Sequence, residues 1–319
     1  MKLSFEQIKE ITVGALEIWQ EDNLLCFSKC RKSQVEAFEN LRADLGVNAR
    51  ATTGVKLDFI TDSSFVECEV VNGTQYEVKV NGLLREIFYF DEDSKQRVFR
   101  VELDKSKENR VEILLPYHHY QGKIKSLELS DSAFFRRSEF NFKILFMGDS
   151  ITQGWRSKYF CSSYATLVSD YFNAECVLQG VGGGFFDEKI VDKTGFTPDV
   201  VVIAYGTNDY GRYPTFDEVE KRASAFFSKV IEEYKGAKIY YISPIWREDE
   251  KKLREMGEFW DCCKKLQTIA KKYDLTVING ANLVPHNKDY FADPIHPNDL
   301  GFHSYAFNLI NELRKTIKE

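Results

Sequence analysis

The sequence predicts two domains of different class: an all-β sandwich of the jelly-roll kind over residues 1–138, and an α/β domain built on a parallel sheet over residues 139–319. Two observations carry this. From Gly54 to about residue 138 apolar residues recur with a period of two, in short runs separated by turn signals, which is the pattern of antiparallel sheets with one face covered. After residue 139 nearly continuous apolar runs alternate with segments of helical period, the pattern of strands covered on both faces by crossover helices. A length of 319 residues is also more than a single core commonly serves.

In the first part, Ile11 to Trp19 reads as a strand, Glu21-Asp-Asn23 as a turn, and the chain from Leu24 as a second strand. Ser33 to Leu41 carries apolar residues at helical spacing, with Ser33 as N-cap and Glu36 three residues on. Alternating strands follow at 55–60, 65–70, 76–80, 86–90, 97–103 and 110–115, and a last one at Lys123 to Leu129. Asn72-Gly73 and Asn81-Gly82 are hairpin-type turns. His118 and His119 stand in the loop Pro116 to Tyr120; no carboxylate or cysteine lies close in sequence, so they read as loop residues, able to rim a neighbouring site, rather than as a metal pair.

In the second part the expected strands are Lys143–Met147, Glu175–Leu178, Val200–Tyr205, Lys238–Ile242 and Thr276–Ile278. The expected helices are Ser157–Phe172, Thr215–Tyr234, Glu248–Tyr273 and Asp299–Ile317. Four strands lead into residues capable of chemistry: Gly148-Asp149-Ser150, then Gln179 with the glycine run to Gly184, then Gly206-Thr207-Asn208-Asp209, and last Asp293-Pro294-Ile295-His296. The carboxyl ends of a parallel sheet open on one crevice, so these four clusters are expected to converge.

Their chemistry is that of acyl transfer. Ser150 is the candidate nucleophile and needs a base within hydrogen-bond reach. His296 supplies an imidazole, whose pKa suits proton transfer near neutrality, and Asp293 can orient its other nitrogen. His286 and His303 are the rival bases, the first without a carboxylate at turn spacing, the second inside the last helix. The backbone N–H of Ser150, a glycine-run N–H and the Asn208 amide are donors for an oxyanion. Asp149 reads as a turn former. Trp155, Tyr210 and Trp246 lie near the clusters or at a strand end and could stack on a sugar.

The clusters, in this order, resemble the four blocks of the SGNH (GDSL-type) hydrolase family, over roughly residues 140–318. Gly148-Asp149-Ser150 with Ile151-Thr152-Gln153-Gly154, Gly206-Thr207-Asn208-Asp209 and Asp293-Pro294-Ile295-His296 match the first, third and last blocks. In the second block the family has Asn-x-Gly-x-x-Gly, where this chain has Gln179 and three consecutive glycines; the register favours Gly183 as the oxyanion glycine, with Gly182 its rival. The resemblance implies a flavodoxin-like three-layer α/β/α domain using a Ser-His-Asp triad without metal. A sandwich placed before it is similar to carbohydrate esterase family 2 and related two-domain acetyl esterases. The expected function is therefore a serine esterase acting on small acyl esters, acetyl above all, on a carbohydrate. The alternatives are a thioesterase or lysophospholipase on the same scaffold, and a carbohydrate-binding protein with an idle site.

Composition narrows the partners. The net charge is −6 with no block of Lys or Arg, which gives no footprint for nucleic acid or an anionic membrane. The first ten residues show no apolar core of a signal peptide, and no run is long enough to span a bilayer. The seven cysteines, at 26, 30, 68, 161, 176, 262 and 263, are odd in number and lack a paired zinc spacing, so free thiols and a cytoplasmic location are expected. No cofactor and no metal are expected; the partner is a small ester, and the oligomeric state stays open.

Overall fold

The computed structural model describes residues 1–94 and 96–317. Helix α1 (Phe5–Glu10) comes first; Ser4 caps it, its hydroxyl accepting from the Gln7 N–H while the Gln7 side chain accepts from the Ser4 N–H. The strand expected over Ile11–Trp19 is broken in two, β1 (Thr12–Val13) and β2 (Glu17–Glu21). Gly14 makes the break: its φ is +85°, and a Cβ there would lie 2.3 Å from the Gly54 carbonyl oxygen. Strand β3 (Leu24–Ser28) then leads to α2 (Lys32–Leu41) and α3 (Ala43–Arg50). The N-cap of α2 is Arg31 rather than Ser33; the Arg31 N–H donates to the Gln34 side chain at 3.0 Å, and Ser33 turns its hydroxyl to Asp192. Helix α3 was not expected, since its eight residues include Gly46 and Asn48.

The sandwich is completed by β4 (Lys56–Thr61), β5 (Phe65–Val71), β6 (Gln75–Val80), β7 (Leu83–Tyr89), β8 (Arg97–Glu102), β9 (Asn109–Leu114), β10 (Lys123–Leu129) and β11 (Phe135–Arg137). One antiparallel sheet runs β1-β4-β9-β6-β7, with β11 also on β4; the other runs β2-β3-β10-β5-β8. Their inner faces enclose a core that includes Leu25, Phe27, Phe59, Cys68, Tyr76, Val111 and Leu127. Asn81 and Gly82 both take positive φ and close the β6–β7 hairpin. Asn72-Gly73 has the same backbone but does not close a hairpin. It carries the chain from one sheet to the other, and the Tyr76 hydroxyl fastens it by donating to the Asn72 carbonyl at 2.5 Å.

The α/β half contains β12 (Phe142–Gly148), α4 (Tyr164–Tyr171), β13 (Ala174–Gly180), β14 (Val200–Ala204), α5 (Phe216–Glu233), β15 (Lys238–Ile242), α6 (Phe259–Lys272), β16 (Thr276–Ile278) and α7 (Asp299–Leu313). All five strands are parallel, in the order β13-β12-β14-β15-β16. The order reverses at β12, so a crevice opens at its carboxyl end. Two expected helices begin late. Residues 151–163 form turns and a short 3₁₀ segment before α4, and α6 starts only at Phe259, because Arg247 and Arg254 both pair with Asp249 and hold the intervening residues in turns.

No α-helix joins β13 to β14; that connection holds a single 3₁₀ turn, Glu188–Ile190. The helices α2 and α3 occupy the face it leaves bare. Val35, Phe38, Leu45 and Ala49 are buried with Met147, Val177, Val181 and Phe185 in one core. The opposite face is covered by α4 and α7 through Val168, Phe302, Tyr305 and Leu309. Residues 32–50 thus precede most of the sandwich in sequence but pack as a layer of the α/β half.

Buried charge joins the halves. Lys56 lies 2.6 Å from Glu112 and 2.9 Å from Asp58; Lys79 lies 3.1 Å from Glu112 and 2.6 Å from Asp170 of α4. Arg110 takes Asp58 at 2.8 Å. The Glu112 side chain is 3% exposed, and its loss would take one of two carboxylate partners from each of two buried lysines. Among the described residues no helix is long and apolar enough to cross a membrane, and all seven cysteines are free. For Glu112→Gln, urea unfolding is expected to show a loss of about 3 kcal/mol or more; a loss below about 1 kcal/mol would place the cluster among weak surface pairs.

Candidate active site

Strand β12 delivers Ser150. At its end Gly148 leaves no room for a side chain: a Cβ would lie 2.0 Å from the Thr152 hydroxyl. The turn that follows is held by Asp149, whose carboxylate accepts the Ile151 N–H at 2.9 Å and whose carbonyl accepts the Gln153 N–H at 2.9 Å. Asp149 is therefore a turn former. Burial, with Asp209 nearby, pushes its carboxyl up to about 7.

His296 comes from the loop before α7. Asn298 caps that helix by accepting the Gly301 N–H at 3.0 Å, and the His296 carbonyl accepts the Ala292 N–H at 2.9 Å. The ring then spans two partners. Its Nε2 lies 2.8 Å from the Ser150 Oγ, and its Nδ1 lies 2.9 Å from each carboxylate oxygen of Asp293. With Nδ1–H donating to Asp293, Nε2 is free to accept from the serine hydroxyl. Asp293 is fixed in turn by the N–H groups of Ile295 (3.0 Å) and His296 (2.9 Å). Burial opposes its charge, but these donors and the imidazole outweigh burial and hold it at about 2. The histidine shifts downward, chiefly through burial, with Arg156 and Arg247 adding to the shift against the pull of Asp293. The rival bases are elsewhere: His286 binds the Ala281 carbonyl at 2.9 Å, and His303 is exposed on α7.

The glycine run lies beside Ser150, since Gly148 and Gly180 are paired in register and the Val181 N–H donates to the Gly148 carbonyl. The N–H groups of Gly182, Gly183 and Gly184 differ in what they meet. The Gly182 N–H donates to the Gln153 side-chain oxygen at 2.6 Å, and the Gly184 N–H donates to the Val181 carbonyl at 2.9 Å. The Gly183 N–H has no partner among the described residues; its φ is +78°, and it is half-buried. Asn208 donates one of its two amide N–H groups to the Gly184 carbonyl at 2.9 Å, leaving the other available. Gln179, the counterpart of the family's Asn, faces away: its amide donates to Gln34 of α2 at 2.9 Å.

Four residues of the site went unnoticed in the sequence. Lys29 donates to the Gly180 carbonyl at 2.9 Å and Asn48 of α3 to the Gly182 carbonyl at 3.0 Å, so N-terminal residues hold two carbonyls of the loop. Gln153 donates to the His118 carbonyl, which brings the Pro116–Tyr120 loop of the sandwich against the site. Arg156 donates from Nε to Asp293 at 3.1 Å, with a backbone φ of +75°. Only Gln153 stood in a recognisable block; the others sit in stretches with no local pattern.

Of the three aromatics expected to meet a sugar, Trp155 alone is not fully buried. It is half-buried next to the serine turn, with its ring 4.6 Å from that of His118. Tyr210 is 5% exposed; its hydroxyl donates to the Lys252 carbonyl at 2.8 Å, and Phe259 and Arg254 cover its ring. Trp246 is 9% exposed and packs edge-to-face on Phe291. Neither offers a free face, so the sugar-stacking role expected for these two does not fit. Among the described residues no group of three or more His, Cys, Asp or Glu is placed to hold a metal ion. An NMR titration of His296 is expected to give a pKa below 6.5, rising in Arg156→Ala because a cation that disfavours imidazolium is removed; a fall on substitution would contradict the geometry.

Residues 146–303 match the family model described as "GDSL-like Lipase/Acylhydrolase family". No curated protein sequence matches the chain. Among solved structures, one described as salicylyl-acyltransferase SsfX3 from a tetracycline biosynthetic pathway is 15% identical, covers 99% of this chain and 97% of its own, and superposes with a TM-score of 0.81. A family two carbohydrate esterase from Cellvibrio japonicus is 18% identical over 97% of this chain and 96% of its own, with a TM-score of 0.71. A GDSL-like lipase structure from Bacteroides ovatus is 18% identical over 97% and 96%, with a TM-score of 0.73. At these identities the likeness is one of fold, and it spans both halves of the chain. By the family match and the site it encloses, residues 146–303 form a GDSL-like lipase/acylhydrolase domain, and the chain is a carboxylic ester hydrolase.

Proposed function

We propose that the protein removes small acyl groups, acetyl above all, from a carbohydrate through an acyl-enzyme on Ser150. The observation that carries this reading is the unbroken line of hydrogen bonds Asp293–His296–Ser150 beside a Gly183 N–H with no other partner. As the Ser150 Oγ bonds to the acyl carbon, its proton passes to His296 Nε2 and the imidazolium is held by Asp293. The carbonyl oxygen takes up the negative charge against the N–H groups of Ser150 and Gly183 and the free amide N–H of Asn208. When the ester C–O bond breaks, the leaving alcohol takes the proton from His296. Water then attacks the acyl-enzyme by the same steps in reverse roles, releasing the acid and restoring Ser150.

The carbohydrate assignment rests on the fold shared with carbohydrate esterases, on Trp155 and His118 at the rim, and on the preceding sandwich. We read that sandwich as a jelly roll: its strand orders β3-β10-β5-β8 and β4-β9-β6-β7 are those that two interlocked Greek keys produce. The likeness across almost the whole chain to a structure described as an acyltransferase supports a second reading, in which an alcohol replaces water in the deacylation step.

Ser150→Ala is expected to lose about 10³-fold or more of the activity on p-nitrophenyl acetate; near-wild-type turnover by the folded variant would end the assignment. Across p-nitrophenyl esters from acetate to palmitate the rate is expected to be highest at the short end. A maximum at long chains would instead favour the lysophospholipase alternative. Acetate as the main product in the presence of a sugar alcohol supports hydrolysis, and a transferred acetyl ester supports the second reading.

A further inference from the structure

Among the described side chains that hydrogen-bond the backbone of residues 180–184, Lys29 is the charged one. Lys29 follows β3 and is 0% exposed. Its ammonium donates to the Gly180 carbonyl at 2.9 Å, and no carboxylate pairs with it among the described residues. A lysine buried without an acidic partner is costly and rare, and a neutral amide could make the same hydrogen bond, as Asn48 does two residues further along the loop. The surroundings are neutral on each side. Gln34 of α2 and Gln179 of β13 are amides bonded to each other, and Gln179 also donates to the Lys29 carbonyl. Cys30 is the titratable neighbour whose charge would bear on Lys29, and burial pushes its thiol up to about 12, so it stays uncharged. Gly180 stands in register with Gly148, where the serine turn begins, and three residues before Gly183.

We propose that Lys29 is a positioning residue for acyl transfer: its ammonium fixes the Gly180 carbonyl, and with it the Gly183 N–H, and its charge, held away from water, favours the negative charge that forms on the substrate oxygen. The proposal rests on the esterase reading above. It gives the N-terminal part of the chain an electrostatic part in the reaction as well as a packing role. It also sets a pH range. Burial brings the ammonium down to about 8, so it is charged at neutral pH and loses its proton as the pH rises through that value. Asp149 and Asp209 titrate lower, near 7, and do not touch Lys29.

The test measures kcat and KM for p-nitrophenyl acetate across this range, corrected for spontaneous hydrolysis, in the wild type, Lys29→Met and Lys29→Arg, with thermal unfolding of each. The wild type is expected to lose kcat on the alkaline side with a midpoint near 8. Lys29→Met is expected to lower kcat at neutral pH roughly tenfold with KM within about twofold, and to remove the alkaline fall. Lys29→Arg, which stays protonated, recovers most of the neutral-pH rate and also lacks the fall. A folded Lys29→Met with the wild-type rate, or an alkaline fall that persists in Lys29→Arg, overturns the proposal while leaving the esterase reading intact. Should Lys29→Met not fold, Lys29→Arg alone decides. A wild type with no turnover on any ester overturns the esterase reading, and this proposal with it.

Discussion

The hydrogen bond from the Gly182 N–H to the Gln153 side chain decides which way the glycine loop faces. Three consecutive glycines could present any of three N–H groups to a substrate. Gln153 removes one, the Val181 carbonyl removes another, and Gly183 is left. Gln153 can do this because it is fully buried and its own amide is held by the His118 carbonyl. One side chain thus ties together the serine turn that carries it, the glycine loop and the Pro116–Tyr120 loop of the sandwich. An amide with both ends occupied suits that position, since moving either end would leave a buried polar group unpaired.

The same constraint explains why the N-terminal part belongs with the α/β half. The β13–β14 connection lacks an α-helix, so that face of the sheet and the glycine loop above it would lie bare. Helices α2 and α3 cover the face, and Asn48 and Lys29 supply donors for the loop carbonyls. On the other side, Glu77 of β6 accepts the Phe160 and Cys161 N–H groups at the start of the 3₁₀ segment that follows the serine turn. The residues after Ser150 are therefore positioned by both halves of the chain.

Much of the fold was legible because its signals are local. The parallel strands and most of the sandwich strands followed from period and turn chemistry, and Ser150, Asn208, Asp293 and His296 followed from where strands end. What escaped detection depends on tertiary contact. Gly14 splits a strand because of the Gly54 backbone opposite, and α3 forms against Leu45 contacts that no local pattern announces. Tyr210 and Trp246, like Trp155, stand near the clusters or at a strand end, yet packing turns them inward. Lys29 follows the apolar run 24–27 and stands near Arg31 and Lys32, where a lysine suggests a solvated end, and its burial shows only once the Gly180 carbonyl, 151 positions down the chain, is brought to 2.9 Å.

The reading as a serine esterase stands or falls on whether Ser150 is nucleophilic in the folded protein. A fluorophosphonate probe followed by peptide mass spectrometry tests this without knowledge of the natural substrate. The expected result is a single adduct on the peptide that carries Ser150, blocked by prior exposure to a good acetyl ester. A folded protein that takes no label, or takes it on another serine, would contradict the esterase reading.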